Sequence, residues 1–186
     1  MKINKFKIEG LLEFIPNVYA DSRGVFVETY NKELLSKNGF DFEFKQDNQS
    51  ISHKGVFRGL HLQLGDSAQG KLVRVSRGSV YDFALDLRKD SDTFGQWQGV
   101  LLTEGKQNQF WVPPGFAHGF ISLEDNTIFN YKCTEVYNKE AEECVRWDSP
   151  ELDIDLSKFI DTDPLVSPKD LEGITLTQYK EKYGIN

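Results

Sequence analysis

Val80-Tyr81-Asp82-Phe83-Ala84-Leu85-Asp86-Leu87 is the stretch that decides the fold class. Tyr81, Phe83, Leu85 and Leu87 fall on one face, and Val80, Asp82, Ala84 and Asp86 on the other. A period of two is that of a β-strand and cannot be a helix. The first face is wholly apolar and suits a core. The second carries two carboxylates, which need partners if buried and otherwise are solvated or line a wet cavity. A turn at Arg77-Gly78-Ser79, entered from Val73-Arg74-Val75, precedes the strand.

Outward from this strand, short alternating runs dominate. Phe26-Val27-Glu28-Thr29-Tyr30 follows a turn at Asp21-Ser22-Arg23-Gly24, and further strands are expected at Gly99–Thr103, Gln109–Val112, Gly119–Leu123 and Thr127–Cys133. Glu104-Gly105, Pro113-Pro114-Gly115 and Glu124-Asp125-Asn126 separate them. Lys32–Asn38 reads as a short helix, with Gly39 as its C-terminal stop. From about Ser149 the apolar pattern thins, and Pro150, Pro164 and Pro168 punctuate an irregular tail with a short helix or two. Strands at this spacing predict an all-β sandwich or barrel rather than a parallel α/β sheet. The whole chain, 1–186, is expected to be one domain.

The net charge of −7 gives no bulk attraction for nucleic acid, so an anionic ligand must be held by a local basic cluster. Cys133 and Cys144 are too few for a disulfide framework and read as reduced thiols. No run approaches the ~18 apolar residues of a membrane span. Met1-Lys2-Ile3-Asn4-Lys5-Phe6 lacks the apolar region of a signal peptide. A soluble, cytoplasmic protein with no membrane partner is expected.

The three histidines are His53, His61 and His118. A barrel metal site wants two histidines on one strand, a carboxylate and a third histidine, but position 63 is Gln63 and His118 completes no set, so no metal is expected. Negative charge must then be stabilised by side-chain cations, of which Arg23, Arg58, Lys71 and Arg74 fall in the β-rich half. Lys71 follows His61 by ten positions. A hairpin with its loop at Leu64–Gln69 would set the two on neighbouring strands. An imidazole beside an ammonium suits removal of a proton next to a carbonyl: the histidine takes the proton and the lysine holds the enolate oxygen. Arg58 has the opposite strand parity to His61, unless a bulge at Gly59 redirects one of them. Tyr131 could return a proton from the opposite face, and Tyr137 could stack on a nucleobase. Asp170 on its own reads as a surface acid or helix cap.

Taken together, these stretches resemble the dTDP-4-dehydrorhamnose 3,5-epimerase family. The resemblance is carried by Asp21-Ser22-Arg23-Gly24-Val25-Phe26-Val27-Glu28, Gln46-Asp47-Asn48-Gln49-Ser50, Arg58-Gly59-Leu60-His61 and Gln69-Gly70-Lys71-Leu72-Val73. It continues through Asp86-Leu87-Arg88, Ser91-Asp92-Thr93-Phe94-Gly95, Pro114-Gly115-Phe116-Ala117-His118-Gly119-Phe120 and the run Tyr131 to Tyr137, so that it spans about residues 5–172. The fold it implies is a cupin-type jelly-roll β-barrel with a few short peripheral helices. His61 resembles the general base, Asp170 the carboxylate that orients it, Tyr131 the general acid and Lys71 the enolate-stabilising cation. Tyr137 resembles the residue that stacks on thymine. Arg23, Glu28, Gln46, Asp47, Asn48, Arg58, His118, Glu142 and Lys169 resemble positions that hold the nucleotide-sugar.

The implied substrate is a dTDP-4-keto-6-deoxyhexose epimerised at C3 and C5 in dTDP-L-rhamnose biosynthesis. No cofactor is implied, and no G-x-G-x-x-G fingerprint is present. The resemblance also implies a homodimer in which the N-terminal segment, with Arg23 and Glu28, completes the partner's site. Leu62 and Leu156 depart from the family, which often has Tyr and Trp there. They leave room for an epimerase of one carbon or of a related ketosugar. More distant alternatives are a cupin 3,4-ketoisomerase and a non-catalytic nucleotide-sugar binding module.

Overall fold

Period-two alternation, repeated along the chain, builds two antiparallel sheets that face each other; the computed structural model describes residues 1–185. The first sheet runs β1 (Lys2–Lys5), β2 (Leu12–Ile15), β10 (Gln109–Val112), β7 (Lys71–Arg77), β12 (Thr127–Cys133) and β5 (Gln46–Ser52). The second runs β13 (Glu142–Cys144), β6 (Val56–Gln63), β11 (Phe116–Ser122), β8 (Ser79–Asp86) and β9 (Trp97–Thr103), with β14 (Leu165–Val166) added parallel to the start of β6. This is the expected cupin-type jelly roll. Its helices are short: α1 (Lys32–Lys37), α2 (Pro168–Leu171) and α3 (Leu176–Tyr183). In α1, Asn31 caps the start and Gly39, at φ 86°, lies just past the end.

The space between the sheets is divided. On one side it is dry: Val73, Val75 and Phe110 from the first sheet meet Val80, Ala84 and Val100 from the second, all 6% exposed or less. Phe120 stacks on Phe129 across the gap with ring centroids 4.2 Å apart. On the other side, toward β5 and β13, the inward residues turn polar and the sheets part around a cavity.

β8 is buried on both faces. Phe83, Leu85 and Leu87 pack outward under the C-terminal tail, on Leu152, Leu156, Ile160, Leu176 and Tyr179. The tail's apolar residues looked sparse because loops, not a regular period, bring them to this surface. The two carboxylates of the other face are not solvated. Asp86, 0% exposed, accepts from Arg88 Nη2 (2.7 Å), Ser91 Oγ (2.6 Å) and Thr93 Oγ1 (2.7 Å). Asp82, also fully buried, is bonded to His118 Nε2 at 2.9 Å.

The expected Thr127–Cys133 and Gln109–Val112 strands are found with those bounds. The Phe26–Tyr30 strand is shorter and earlier: Gly24–Val27 (β4) pairs with Val18–Asp21 (β3) in a separate two-stranded hairpin. The hairpin between His61 and Lys71 does not form. β6 and β7 lie in opposite sheets, because the turn at Gly65–Ser67 carries the chain across the gap instead of doubling it back within one sheet.

A bulge settles the parity of Arg58. In the β6–β11 pairing, His118 faces His61 but Phe120 faces Arg58, so three steps on β6 match two on β11. The additional residue puts Arg58 and His61 on the same side. Gly59 sits in this bulge at φ 128°, and a Cβ there would lie 2.5 Å from Gly119 Cα and 2.7 Å from the His118 carbonyl oxygen. Neither neighbour is a side chain that can swing away. Gly59→Ala is therefore expected to destabilise the fold by roughly 3 kcal/mol or more, from backbone strain and overpacking together. In a urea titration the midpoint should fall by about 1 M or more. An unchanged midpoint would show that the bulge tolerates a side chain.

Candidate active site

Opposing sheets supply opposite walls of a cavity of about 610 Å³. β5 contributes Gln46, Asn48 and Ser50 at alternate positions, β12 contributes Phe129, Tyr131 and Cys133, and β7 contributes Lys71 at its first residue. Arg58 and His61 of β6, His118 and Phe120 of β11, and Glu142 of β13 form the facing wall. Lys169 and Asp170 of α2 close one side, and Tyr137 stands at the rim, half exposed.

His61 is a candidate acid–base group with a buried carboxylate partner. Its Nε2 lies 2.7 Å from Asp170 Oδ1, and Asp170 is 5% exposed. The second carboxylate oxygen, Oδ2, accepts from the Gly59 N–H at 3.2 Å. Ser167 caps α2 by accepting from the Asp170 N–H, with Pro168 at the first helical position. Burial pushes the Asp170 carboxyl up, but the hydrogen bond and the charge of His61, with the Gly59 N–H, outweigh it and hold the group below its ordinary value. An ionised carboxylate can only accept, so Nε2 is the donor and Nδ1 keeps its lone pair. Residue types and spacing alone do not link residues 61 and 170; the family resemblance paired them, and the four-residue helix α2 at the cavity's side brings them together.

Lys71 is 8% exposed, and its Nζ donates to the His61 carbonyl oxygen at 3.1 Å, across the gap between the sheets. Burial pushes the ammonium below its ordinary value against the opposing influence of Cys133, Glu142 and Asp82. Tyr131 lies on the Lys71 side of the cavity, and burial pushes its phenol up, so it stays protonated near neutral pH. A base on one layer thus faces an ammonium and a phenol on the other.

Around them is a set of polar contacts. Arg58 Nε donates to Ser52 Oγ at 3.3 Å. Gln46 Nε2 donates to Asn48 Oδ1 (2.9 Å), while Gln46 Oε1 accepts from the Tyr137 N–H (2.7 Å). The Tyr137 hydroxyl donates to Glu142 Oε2 at 2.8 Å, Lys169 bonds to the same oxygen, and the ammonium stands 6.0 Å from the Tyr137 ring centre. Burial would raise the Glu142 carboxyl, but these donors hold it low.

Three expected positions lie elsewhere. Asp47 has the opposite parity to Gln46 and Asn48 on β5; it points out of the first sheet and pairs with Lys132 at 2.8 Å. Arg23 and Glu28 do not line the cavity of their own chain. Arg23 is exposed at the β3–β4 turn and bonded to Asp21, and Glu28 accepts from Asn31 Nδ2 at 3.1 Å.

The structure adds residues that the sequence reading passed over. Gln63, noted only as not being a histidine, donates to the Ser67 and Val136 carbonyls and accepts from the Asn138 N–H, bracing the loop that carries Tyr137. Ser50 lines the cavity, and its Oγ is the one buried side-chain polar atom without a partner among the described residues. The alternation of Gln46, Asn48 and Ser50 was the available signal for it. Cys144 is paired in register with His61, and burial first, then the nearby Asp170 and Glu142 charges, pushes its thiol up to about 12.

The family described as dTDP-4-dehydrorhamnose 3,5-epimerase matches residues 5–178. A dTDP-4-dehydrorhamnose 3,5-epimerase of Methanothermobacter thermautotrophicus is 47% identical over 89% of each chain. The crystal structure of a dTDP-6-deoxy-D-glucose-3,5-epimerase from Legionella pneumophila, in complex with dTDP-4-keto-L-rhamnose, superposes with a TM-score of 0.91 at 41% identity, covering 97% of this chain and 95% of the other. A 3'-monoepimerase from Streptomyces bikiniensis, in complex with dTDP-quinovose, superposes with a TM-score of 0.88 at 30% identity, over 97% and 90%. With the family matched across nearly the whole length and the relatives alike in fold and sequence, this chain belongs to the dTDP-4-dehydrorhamnose 3,5-epimerase family.

Proposed function

We propose that the chain epimerises dTDP-4-dehydro-6-deoxy-D-glucose at C3 and C5, giving dTDP-4-dehydro-L-rhamnose for dTDP-L-rhamnose biosynthesis. The observation that carries this reading is the His61–Asp170 dyad, 2.7 Å apart, opening onto a cavity that also holds Lys71 and Tyr131. The C4 ketone of such a sugar acidifies the protons on both neighbouring carbons, because either carbanion delocalises onto the same oxygen. His61 Nδ1 takes the proton, and Asp170 stabilises the imidazolium that results. Lys71 holds the enolate oxygen, an interaction that strengthens as charge develops. Tyr131 returns a proton from the other face. These groups contain all the acid–base chemistry the reaction needs.

Arg58, His118 and Lys169 supply the cationic and hydrogen-bonding side chains for a pyrophosphate, and Tyr137 supplies an aromatic surface for the base. The β3–β4 hairpin exposes Tyr19, Val25 and Phe26, each 60% exposed or more. Together with Arg23 and Glu28, these suit a homodimer in which the hairpin completes the neighbouring site. Asp47 is better placed for such a contact than for its own cavity. No described helix is long and apolar enough to cross a membrane. The two buried free thiols fit a reducing compartment, so we place the enzyme in the cytoplasm.

A single-carbon epimerase is the second reading, favoured by the likeness to the 3'-monoepimerase. Turnover of dTDP-4-keto-6-deoxyglucose in deuterated water separates the two. Label is expected at both C3 and C5. Label at one carbon alone would establish the mono-epimerase, and binding without any label would leave only a nucleotide-sugar binding module.

A further inference from the structure

Cys144 takes no part in the chemistry proposed above, yet it lies where a bystander is least expected. β13 pairs with β6 so that Cys144 stands directly opposite His61, and directly paired residues project to the same side of a sheet. Its Sγ lies 3.9 Å from the Asp170 carbonyl oxygen. One ligand atom from each of His61, Cys144 and Asp170 falls within 4.8 Å of the others, from three segments far apart in sequence.

We propose that these three side chains form an inhibitory binding site for a thiophilic divalent cation, with zinc as the fitting ion. A tetrahedral zinc centre holds its ligands roughly 3.3–3.7 Å apart, given bonds of about 2.0–2.1 Å to nitrogen and 2.3 Å to sulfur. His61 Nε2 and Asp170 Oδ1, hydrogen-bonded at 2.7 Å, are closer than that and separate by roughly 0.6 Å or more when a metal replaces the shared proton, while the thiol, one of three ligand atoms lying within 4.8 Å of one another, moves in. Imidazole, thiolate and carboxylate are a zinc donor set and a poor one for magnesium, which demands oxygen. His61 and Asp170 both line the cavity, which gives an ion a route to the three side chains.

The proton balance explains why such binding inhibits. Before binding, Nε2 carries the imidazole proton and Asp170 is ionised. Zinc takes Nε2, so that proton moves to Nδ1, and the thiol proton leaves to solvent as the Zn–S bond forms. Nothing is oxidised, and the two anionic ligands balance the ion's charge. The nitrogen that should accept the substrate proton is then already protonated. The inhibition rests on the epimerase reading; the binding does not.

Zinc chloride, titrated against a fluorescent zinc chelator, is expected to show one ion bound per chain, with at least tenfold weaker binding in Cys144→Ser and Cys144→Ala and no competition from magnesium chloride. Cobalt(II) in the wild-type protein should give a thiolate-to-cobalt charge-transfer band, which needs no variant to fold. Without zinc both variants should epimerise within about twofold of wild type, and with zinc they should resist inhibition at least tenfold more. Absence of the band, absence of zinc binding, or unchanged affinity in the variants would overturn the site. If the wild-type chain binds zinc but shows no turnover, the epimerase reading fails and the site stands; turnover without zinc binding gives the reverse.

Discussion

His61→Ala is expected to stop solvent exchange at C3 and C5 together, with kcat reduced by about 10²–10⁴, the usual contribution of a positioned acid–base group. One imidazole serves both carbons in the proposed scheme, so neither exchange should survive the other. The substitution also leaves Asp170 buried without its imidazole partner, although the Gly59 N–H still donates to its carboxylate. A loss of stability accompanies the loss of rate, because an unpaired buried carboxylate is costly. dTDP binding measured by calorimetry distinguishes the two effects: affinity close to wild type, with no exchange by nuclear magnetic resonance, is the expected pair of results. Exchange persisting at either carbon near the wild-type rate would show that a second base operates.

Lys71→Met should separate catalysis from stability in the opposite sense. Removing one preorganised donor to a developing oxyanion costs about 2.7–4 kcal/mol of barrier, or a 10²–10³-fold fall in kcat. The same change replaces a buried ammonium, already pushed below its ordinary value, with an apolar side chain of similar length. It removes the need to keep a charge out of water, at the cost of the donor to the His61 carbonyl. Thermal melting should therefore be unchanged or slightly higher while turnover collapses. A large drop in melting temperature, with modest loss of rate, would make Lys71 a structural residue.

Much of the fold was legible because the sheets are amphipathic at period two. Val80 to Leu87 and Thr127 to Cys133 carry that period openly, and their bounds in the structure differ from expectation by at most one residue. β1, β2 and β13 escaped because three or four residues barely display a period, whereas Gln109–Val112, no longer than β1 or β2, is marked out by the Pro113-Pro114-Gly115 turn that ends it. The neighbouring-strand placement of His61 and Lys71 failed for a different reason. Loop length does not say whether a chain turns back beside itself or crosses to the opposite layer. The two groups still meet, because facing layers bring side chains as close as adjacent strands do.

Within the candidate site, residue types and the family resemblance singled out His61, Lys71, Tyr131 and Asp170, and all four line one cavity. Parity was the missing information elsewhere. It would have separated Asp47 from Gln46 and Asn48 had β5 been recognised as a strand, and for Arg58 it left the face open, because a bulge at Gly59 resets the count. Asp82 was invisible as a site neighbour, since it reaches the site only through His118, supplied by another strand; Cys144 was invisible because β13 is too short to show which strand it joins.

The division of the cavity between two layers has a stereochemical corollary. In the proposed scheme the base is fixed to one layer, while the ammonium and the phenol hang from the other, so a slight slide of one layer would retarget the donor without disturbing the acceptor. On that scheme, which stereocentre is inverted would depend on the packing of the two layers as much as on the reacting groups themselves.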